Sequence, residues 1–402
     1  MSFIIFGKFS CNHVYFLCYA LCTLFREMMT DVLDDNKISL YFYSMYLAIL
    51  SRFLAIIPFI INKRLSKSKK GGAKQKGSEL QINYIYNNIS TNARKNLIKS
   101  ILKVAIFEFL AESLICIFYF FNNKKEVITY YSLQIYLIIN TITQYLVSHL
   151  VLNFNFYKHH YLSFGINFFC TLIFVIVDIV EIVKGRIADY QYFIFIIMRL
   201  LKLVLYAFED SYSKYALYKE FLTPFSLMTN MAVIESILLL IFSIPFIFLK
   251  TPDTNVIIFV DFNDYLKGIN LLLSFGILFA NFLFETFILV IIDRFSPSHL
   301  PLGFIFHSFC YNIYRIIKNS INGVENKWFY FTNFILYIIL FIGAMIHNEI
   351  FIINKWGFNE KTKLFLNYQL KEENLLNKED DEDYDNPEGK SNDRNIAMAN
   401  IY

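Results

Sequence analysis

Runs of about 20 apolar residues recur along this chain, and they restrict its fold more than any other feature. A helix needs roughly 20 such residues to cross a hydrocarbon core about 30 Å thick, and lipid offers no partner for unsatisfied backbone groups. The composition agrees, because 56% of the residues are hydrophobic and only 17% are charged, against about 25% charged in soluble domains. The sequence therefore predicts an all-α, polytopic membrane protein.

Ten runs are long enough to be transmembrane helices. The predicted spans are 4–25, 38–62, 97–121, 127–152, 161–183, 190–212, 224–249, 268–292, 300–318 and 328–353. The first run has the length of a signal peptide, but only Lys8 precedes its apolar part and no small-residue cleavage site follows. We therefore expect a retained helix.

The loop 63–96 sets the expected orientation. It contains KRLSKSKKGGAKQKGSEL, the densest cluster of Lys and Arg in the chain, and such loops stay in the cytoplasm. With ten spans, both termini are then cytoplasmic, and the Asn88-Ile-Ser sequon does not meet the glycosylation enzyme. We expect a multi-pass protein of an endomembrane or of the plasma membrane.

The chain divides into two parts. Residues 1–354 form the predicted transmembrane domain, and residues 355–402 are polar, acidic and poor in aromatic residues. This composition is typical of a disordered tail. A solvated tail is the simpler interpretation, and a partner-binding role is the alternative.

Ionisable and polar residues occur within the predicted spans, where a central charge costs about 2.5–3.5 kcal/mol on translocon scales. The candidate substrate-binding residues are Arg52, Glu108, Glu112, Arg199, Lys202, Tyr206, Glu235, Glu285 and His307. They could be interhelical ion pairs or the lining of a polar cavity. Because several helices contribute near mid-depth, the sequence favours a cavity. Glu349 lies near a span end, where a structural role is the simpler interpretation.

Four polar residues in the sixth span follow helical spacing. Arg199, Lys202, Tyr206 and Glu209 are 3, 4 and 3 residues apart, which puts them on one side of a helix. An amphipathic helix lying on the membrane surface is the alternative, but the segment is apolar on every other side. Four glutamates are expected to balance its cations or to carry a proton: Glu108, Glu112, Glu235 and Glu285.

Ten helices divide into five plus five. Because five is odd, the second half, about 190–353, would be inverted relative to the first, about 4–183, as in many transporters. Counted within their spans, Glu112 matches Glu285 and Arg52 matches Glu235.

Two stretches resemble the drug/metabolite transporter superfamily, which includes the nucleotide-sugar transporters. QYLVSHLVLNFNFYKHHYLSFGINFFCTLIFVIV (144–177) looks like that family's fourth helix, tight basic turn and fifth helix. YAFEDSYSKYALYKEFLTPFSLMTNMAVIESILLLIFSIPF (206–246) is similar to its sixth-to-seventh junction, where an acidic pair ends one helix and Pro224 opens the next. The resemblance implies a ten-helix inverted repeat and exchange or proton-coupled transport. Few Gly and Ala residues occur where the family packs helices tightly, and no nucleotide-sugar recognition motif is evident.

We expect a secondary transporter for a small polar or anionic metabolite, with Arg199 and Lys202 attracting the anion. Its expected partners are this small molecule and the lipid bilayer, without nucleic acid, and a homodimer is left open. The alternatives are a scramblase, channel-like or scaffold protein, or a multi-pass lipid- or glycan-modifying enzyme.

No catalytic motif and no Cys/His metal spacing is evident, so we expect neither enzymatic activity nor a cofactor or metal. The six cysteines lie mostly inside apolar runs and are expected to be buried thiols. The pair His159-His160 is expected to lie in a basic cytoplasmic turn.

Overall fold

The computed structural model is built almost entirely of α-helices. It describes residues 4–6, 14–33, 39–68, 91–121, 128–153, 156–181, 190–220, 222–250, 257, 262, 265–321, 327–362, 365–366 and 369. The helices are α1 (Val14–Leu33), α2 (Ser39–Phe53), α3 (Ile56–Ser68), α4 (Thr91–Phe121), α5 (Ile128–Leu152), α6 (Lys158–Glu181), α7 (Tyr190–Lys219), α8 (Pro224–Phe246), α9 (Gly268–Arg294), α10 (Leu300–Ile321) and α11 (Lys327–His347). A short 3-10 helix, Pro297–His299, joins α9 to α10.

Three segments are long and apolar enough to cross a membrane: Phe42–Asn62, Pro224–Phe246 and Gly268–Arg294. Their outer faces carry large exposed apolar side chains, such as Leu240, Leu272 and Phe275. Such faces suit lipid rather than water. The chain is therefore an integral, all-α membrane protein.

Two predicted spans differ from the helices. The first was expected at 4–25, but α1 runs from Val14 to Leu33 and Ile4–Phe6 form a strand. The apolar run alone placed the span too early, because α1 includes the charged Arg26 and Glu27. The sixth was expected to end near 212, whereas α7 continues to Lys219.

The continuation of α7 has a local cause. Neither Gly nor Pro interrupts residues 211–219, and Ala216 and Leu217 are buried in the core. The acidic pair Glu209-Asp210 therefore lies within a helix and does not end one, contrary to the expectation from the family resemblance. Pro224 does open the next helix, α8, and Thr223 caps it by accepting a hydrogen bond from the Ser226 amide.

The second apolar span is a broken helix, because α2 ends at Phe53 and α3 begins at Ile56. Pro58 has no N–H to donate to the Leu54 carbonyl, and its ring crowds that carbonyl. The backbone tightens instead, with the Ala55 amide donating to Arg52 O at 3.0 Å and the Ile57 amide to Leu54 O at 3.1 Å. The break comes directly after Arg52.

The closest helix packing joins α4 to α7, α1 to α9, α5 to α7, and α6 to α11. Two glycines allow close approach. A Cβ at Gly303 would lie 2.6 Å from the Tyr19 ring, and one at Gly343 would lie 2.8 Å from Asn167 Oδ1. The largest core cluster draws on α1, α4, α6, α7, α8, α9, α10 and α11.

The two ends of the helical region meet. Strand β1 (Ile4–Phe6) pairs antiparallel with β2 (Phe351–Ile353), with Ile5 opposite Ile352. Residues 355–362, at the start of the predicted tail, form turns in which Thr362 is buried, so the ordered part extends past 354. Residues 69–90 of the basic loop, the Asn88 sequon and the tail after 369 lie outside the described residues.

Candidate functional site

Arg52 lies at the centre of a buried charged cluster. Its guanidinium contacts the carboxylates of Glu108 on α4 and Glu235 on α8, and Glu285 on α9 lies 3.4 Å away. Arg52 is 3% exposed and Glu235 is 1% exposed. Four helices thus bring one cation and three carboxyl groups together.

This central cluster (Arg52, Glu108, Glu235 and Glu285) contains buried polar atoms that lack a hydrogen-bond partner among the described residues. These atoms are Arg52 Nε, Glu108 Oε2 and Glu235 Oε1. A buried polar atom without a partner costs roughly 1–3 kcal/mol. Each spare carboxylate oxygen is therefore a position where a proton, a water molecule or a solute group would be stabilised.

The cluster continues along α7. Glu209 interacts electrostatically with Arg52 and Glu285, and it accepts a hydrogen bond from Ser213 Oγ at 3.2 Å. Asp210 accepts a hydrogen bond from Gln144 on α5. A line of buried acidic side chains therefore leads from Arg52 to the face of α5.

A second group sits one helical turn further along α4. Lys202 Nζ lies 3.2 Å from Glu112 Oε2, and the Tyr206 hydroxyl donates to the same carboxylate. Lys202 Nζ also lies 5.1 Å from the centre of the Tyr206 ring. The side chains of Lys202 and Glu112 are 15% and 33% exposed, so this pair is more accessible than Arg52.

The remaining two candidates lie elsewhere. Arg199 is half-buried on α7, one turn before Lys202. His307 on α10 has its Nε2 3.0 Å from Glu27 Oε2 on α1. Of the four glutamates expected to balance Arg199 and Lys202, Glu112 contacts Lys202, whereas the other three surround Arg52.

Sequence reasoning missed Glu27, Arg26 and Gln144. The predicted first span ended at 25 and so left out both charges of α1, although apolar residues continue to Leu33. The Arg26 guanidinium lies 4.4 Å from the centre of the Phe284 ring, and Phe284 directly precedes Glu285 in the sequence. Gln144 is uncharged, and nothing in the sequence links it to Asp210.

Histidines from three chain segments meet at one end of the helices. His159 and His160 begin α6, His299 ends the 3-10 helix and His347 ends α11. Ring centres are 4.0 Å apart for His159 and His160, 4.6 Å for His160 and His347, and 5.5 Å for His299 and His347. Glu349 Oε1 lies 3.6 Å from His159 Nε2.

This histidine cluster (His159, His160, His299 and His347) replaces the expected basic turn at His159-His160, since both residues are helical and buried. Apolar and aromatic neighbours cover them. His159 precedes the apolar run predicted from 161, and burial lowers the pKa of its imidazole to about 4. It is therefore uncharged at neutral pH.

Within the described residues, no group of three or more His, Cys, Asp or Glu has the arrangement of a metal site. The described cysteines, Cys18, Cys22, Cys116, Cys170 and Cys310, are free thiols, and Cys11 lies outside the described residues. No protein-family model matches the chain, and no curated protein matches it.

Proposed function

We propose that this membrane protein is a secondary transporter that couples the movement of a small anionic solute to proton exchange at the central cluster. The observation that carries the proposal is the unequal charge around Arg52. One guanidinium faces the carboxyl groups of Glu108, Glu235 and Glu285 in a buried position. Ionisable residues at membrane depth commonly mark ion or substrate pathways.

The charge count favours protons. If all three carboxyl groups were ionised, the cluster would carry one positive and three negative charges, an excess of two negative charges that Arg26, which interacts electrostatically with Glu285, offsets by one at most. An uncompensated buried charge is costly, and such groups neutralise instead. At least one of the three carboxyl groups then holds a proton when no other cation is bound.

The pair Lys202–Glu112 is the proposed solute contact. It is more exposed than Arg52, and Lys202 offers a cation to a carboxylate or phosphate group of a solute. An arriving anion would compete with Glu112 for Lys202. Glu112 and Glu108 are four residues apart on α4 and therefore share a face, which links solute binding to the central cluster.

A five-plus-five inverted repeat, with α2 and α3 counted as one helix, is part of the proposal. Four helix contacts have counterparts under this symmetry. The contact of α4 with α7 corresponds to that of α9 with α1, and the contact of α5 with α7 to that of α10 with α1. Likewise, the contact of α5 with α6 corresponds to that of α10 with α11, and the contact of α4 with α8 to that of α9 with α2. The contacts of α2 with α8, α5 with α10, and α6 with α11 map onto themselves. The match is incomplete, because α7 packs more closely on α9 than α1 does on α4.

Individual residues support the same symmetry. Arg52 lies 13 residues after Ser39 and Glu235 lies 11 residues after Pro224, and the two side chains pair where α2 meets α8. Lys202 and Arg26 both lie twelve residues after the first residue of their helices, Tyr190 and Val14. Lys202 contacts Glu112. Likewise, Arg26 interacts electrostatically with Glu285, the residue that corresponds to Glu112.

The broken helix α2–α3 also supports transport. Discontinuous helices near a repeat interface form the binding sites of many secondary transporters, because their free backbone groups face the cavity. Here the break follows Arg52 directly. A scaffold protein would have no need for an interrupted helix beside a buried charge.

The test is uptake into proteoliposomes. Malate, citrate and glycerol phosphate are first screened for an increase in thermal stability, since a ligand that binds the folded state stabilises it. Uptake of a stabilising anion should be lost in Lys202→Leu and strongly reduced in Glu112→Gln. The control is Glu360→Gln, because Glu360 forms an exposed pair with Lys158 at 3.4 Å.

Full uptake by both Lys202→Leu and Glu112→Gln would overturn the solute site. If none of the anions stabilises the protein, the anionic substrate class is wrong. Lipid movement between leaflets without anion uptake would favour a scramblase, and turnover of added lipid would favour an enzyme.

A further inference from the structure

The histidine cluster is a group of ionisable side chains, within the part of the chain that the structure describes, that the proposed transport site leaves unused. His159 and His347 are 3% and 1% exposed. Both ring nitrogens of His159 are buried without a hydrogen-bond partner among the described residues, and the His347 ring has only a marginal contact with the Ser298 backbone. Buried polar groups in proteins are nearly always partnered, so this arrangement calls for a physical role.

Polar and charged groups from several elements also face the cluster. His159 faces Glu349 at 3.6 Å and the Tyr157 ring, and His160 Nδ1 accepts a hydrogen bond from the Tyr157 amide at 3.0 Å. His299 Nδ1 lies 2.7 Å from Ser296 Oγ. The exposed pair Lys158–Glu360 lies at the start of α6, and the His149 ring on α5 lies 5.4 Å from that of Phe156.

Helix α5 connects the cluster to the central acids. The Tyr145 ring stacks on His347 with 4.3 Å between ring centres. The neighbouring residue, Gln144, donates to Asp210, and Ser148, one turn further, is fully buried. Asp210 is adjacent to Glu209, which interacts with Arg52 and Glu285. Helix α5 therefore contacts both groups, because Gln144 reaches the buried acids and Tyr145 reaches the histidine cluster.

We propose that the histidine cluster and Glu349 form one end of a proton path that runs along α5 to the carboxyl groups of Asp210 and Glu209 and on to the central cluster, with the Gln144 amide positioning Asp210. This inference rests on the proposed function, because it supplies the route for the proton exchanged there. Imidazole suits the role, since one ring nitrogen accepts a proton while the other releases one. Glu349 is 18% exposed and takes protons from the solvent at that end.

The balance of one transfer is simple. A proton leaves the carboxyl group of Glu349 and binds one ring nitrogen of His159, and the proton on the other nitrogen of that ring passes to the imidazole of His160, whose ring centre is 4.0 Å away. No redox partner is required. Each imidazole returns to its neutral state after the proton has passed.

The test follows buried carboxyl groups in the purified full-length protein without any solute. Protonated carboxyl groups have an infrared C=O band that shifts when the proton is replaced by deuterium. After rapid mixing with heavy water, the shift should be fast in the wild-type protein. In His347→Phe and in His159→Gln it should be slower by about a hundredfold, the order of magnitude lost with a positioned proton-transfer group.

His149→Phe is the matched control, because His149 is an exposed histidine on α5 outside the path. The amide band verifies folding, and His159→Gln serves if His347→Phe does not fold. A protonated band with unchanged exchange in both variants would overturn the path and leave the transport proposal intact. Absence of a protonated band in the wild-type protein would overturn the proton exchange itself.

Discussion

Arg52 is the only cation in direct contact with Glu108, Glu235 and Glu285 among the described residues. A buried ion pair is weak evidence for stability, because desolvation offsets much of the attraction. Removing one partner is different, since the remaining charge stays buried. The consequences of substitution in this cluster should therefore be large and strongly non-additive.

Arg52→Leu should lower the free energy of unfolding by about 3–5 kcal/mol. The additional change Glu235→Leu should restore part of this loss, because it removes one of the carboxylates that Arg52 neutralised. Unfolding by a denaturing detergent, measured for both single variants and the double variant, gives the coupling. An Arg52→Leu protein as stable as the wild type would mean that the contacts are wrong.

The control for the Arg52→Leu and Glu235→Leu measurements is Lys158→Met. Lys158 and Glu360 form an ion pair at 3.4 Å, but both side chains are more than half exposed. Exposed ion pairs contribute only about 0–1 kcal/mol. This variant should therefore be nearly as stable as the wild type.

His159 should make stability depend on pH. The unfolded chain has the ordinary histidine pKa of about 6.5, whereas the folded value is about 4. As the pH falls, the unfolded state binds the proton first, so stability is complete above about 6.5 and is lost as the pH falls towards 4. The loss is about 3 kcal/mol for this shift.

The measurement compares unfolding of the wild type and His159→Gln from pH 8 to pH 4, with His149→Gln as the exposed control. The His159→Gln protein should lose less stability on acidification. Parallel pH profiles for wild type and His159→Gln would contradict the assignment of a neutral, buried imidazole.

The sequence predicted which side chains would carry a high free-energy cost in the membrane. It did not predict which of them would contact one another. Helical spacing put Lys202 and Tyr206 on one face, and both contact Glu112. Spacing within one helix says nothing about the facing helix, so the grouping of three glutamates around Arg52 could not be read from it. The histidine cluster was missed for the same reason, because its members are far apart in sequence.

At the scale of elements, the crossing of α6 and α11 depends on a missing side chain. Ser163 Oγ donates to the Gly343 carbonyl at 2.7 Å. A Cβ at Gly343 would lie 2.8 Å from Asn167 Oδ1 and 3.1 Å from Ile166 Cγ2. Small residues allow membrane helices to approach closely in this way.

Gly343→Ala should destabilise the protein by about 1–3 kcal/mol, the usual cost of overpacking. Gly165→Ala is the matched control on α6, because a Cβ there meets nothing within 4 Å. It should be neutral or stabilising by up to about 1 kcal/mol, since alanine favours a helix over glycine. Equal thermal stability of the two variants would contradict the close crossing.

Helix starts were predicted well where a proline or glycine marks the first residue of the helix. Pro224 and Thr223 mark the start of α8, and Gly268 begins α9. Hydropathy misplaced the ends of α1 and α7, because their last turns include polar or charged residues and yet stay helical. The break at Pro58 follows from the missing N–H, although its position beside Arg52 becomes meaningful only with the neighbouring helices.

For the whole molecule, the pairing of β1 with β2 joins the N-terminal segment to the residues after α11. The two ends of the helical region therefore meet, as an even number of crossings would require. In a cysteine-free background, Ser2→Cys and Lys361→Cys should react with a membrane-impermeant maleimide from the same side of sealed vesicles. Labelling from opposite sides would exclude ten spans.

The central claim is that protons and solute exchange at the Arg52 cluster, and solute-driven proton flux tests it most directly. Proteoliposomes with an internal pH dye are given the anion that stabilises the protein in the binding screen. In the wild type, we expect protons to move with the solute. In Glu235→Gln and Glu285→Gln, we expect this proton movement to be lost while the anion still raises the thermal stability. Anion uptake without proton movement, or an unchanged proton flux in both variants, would contradict it.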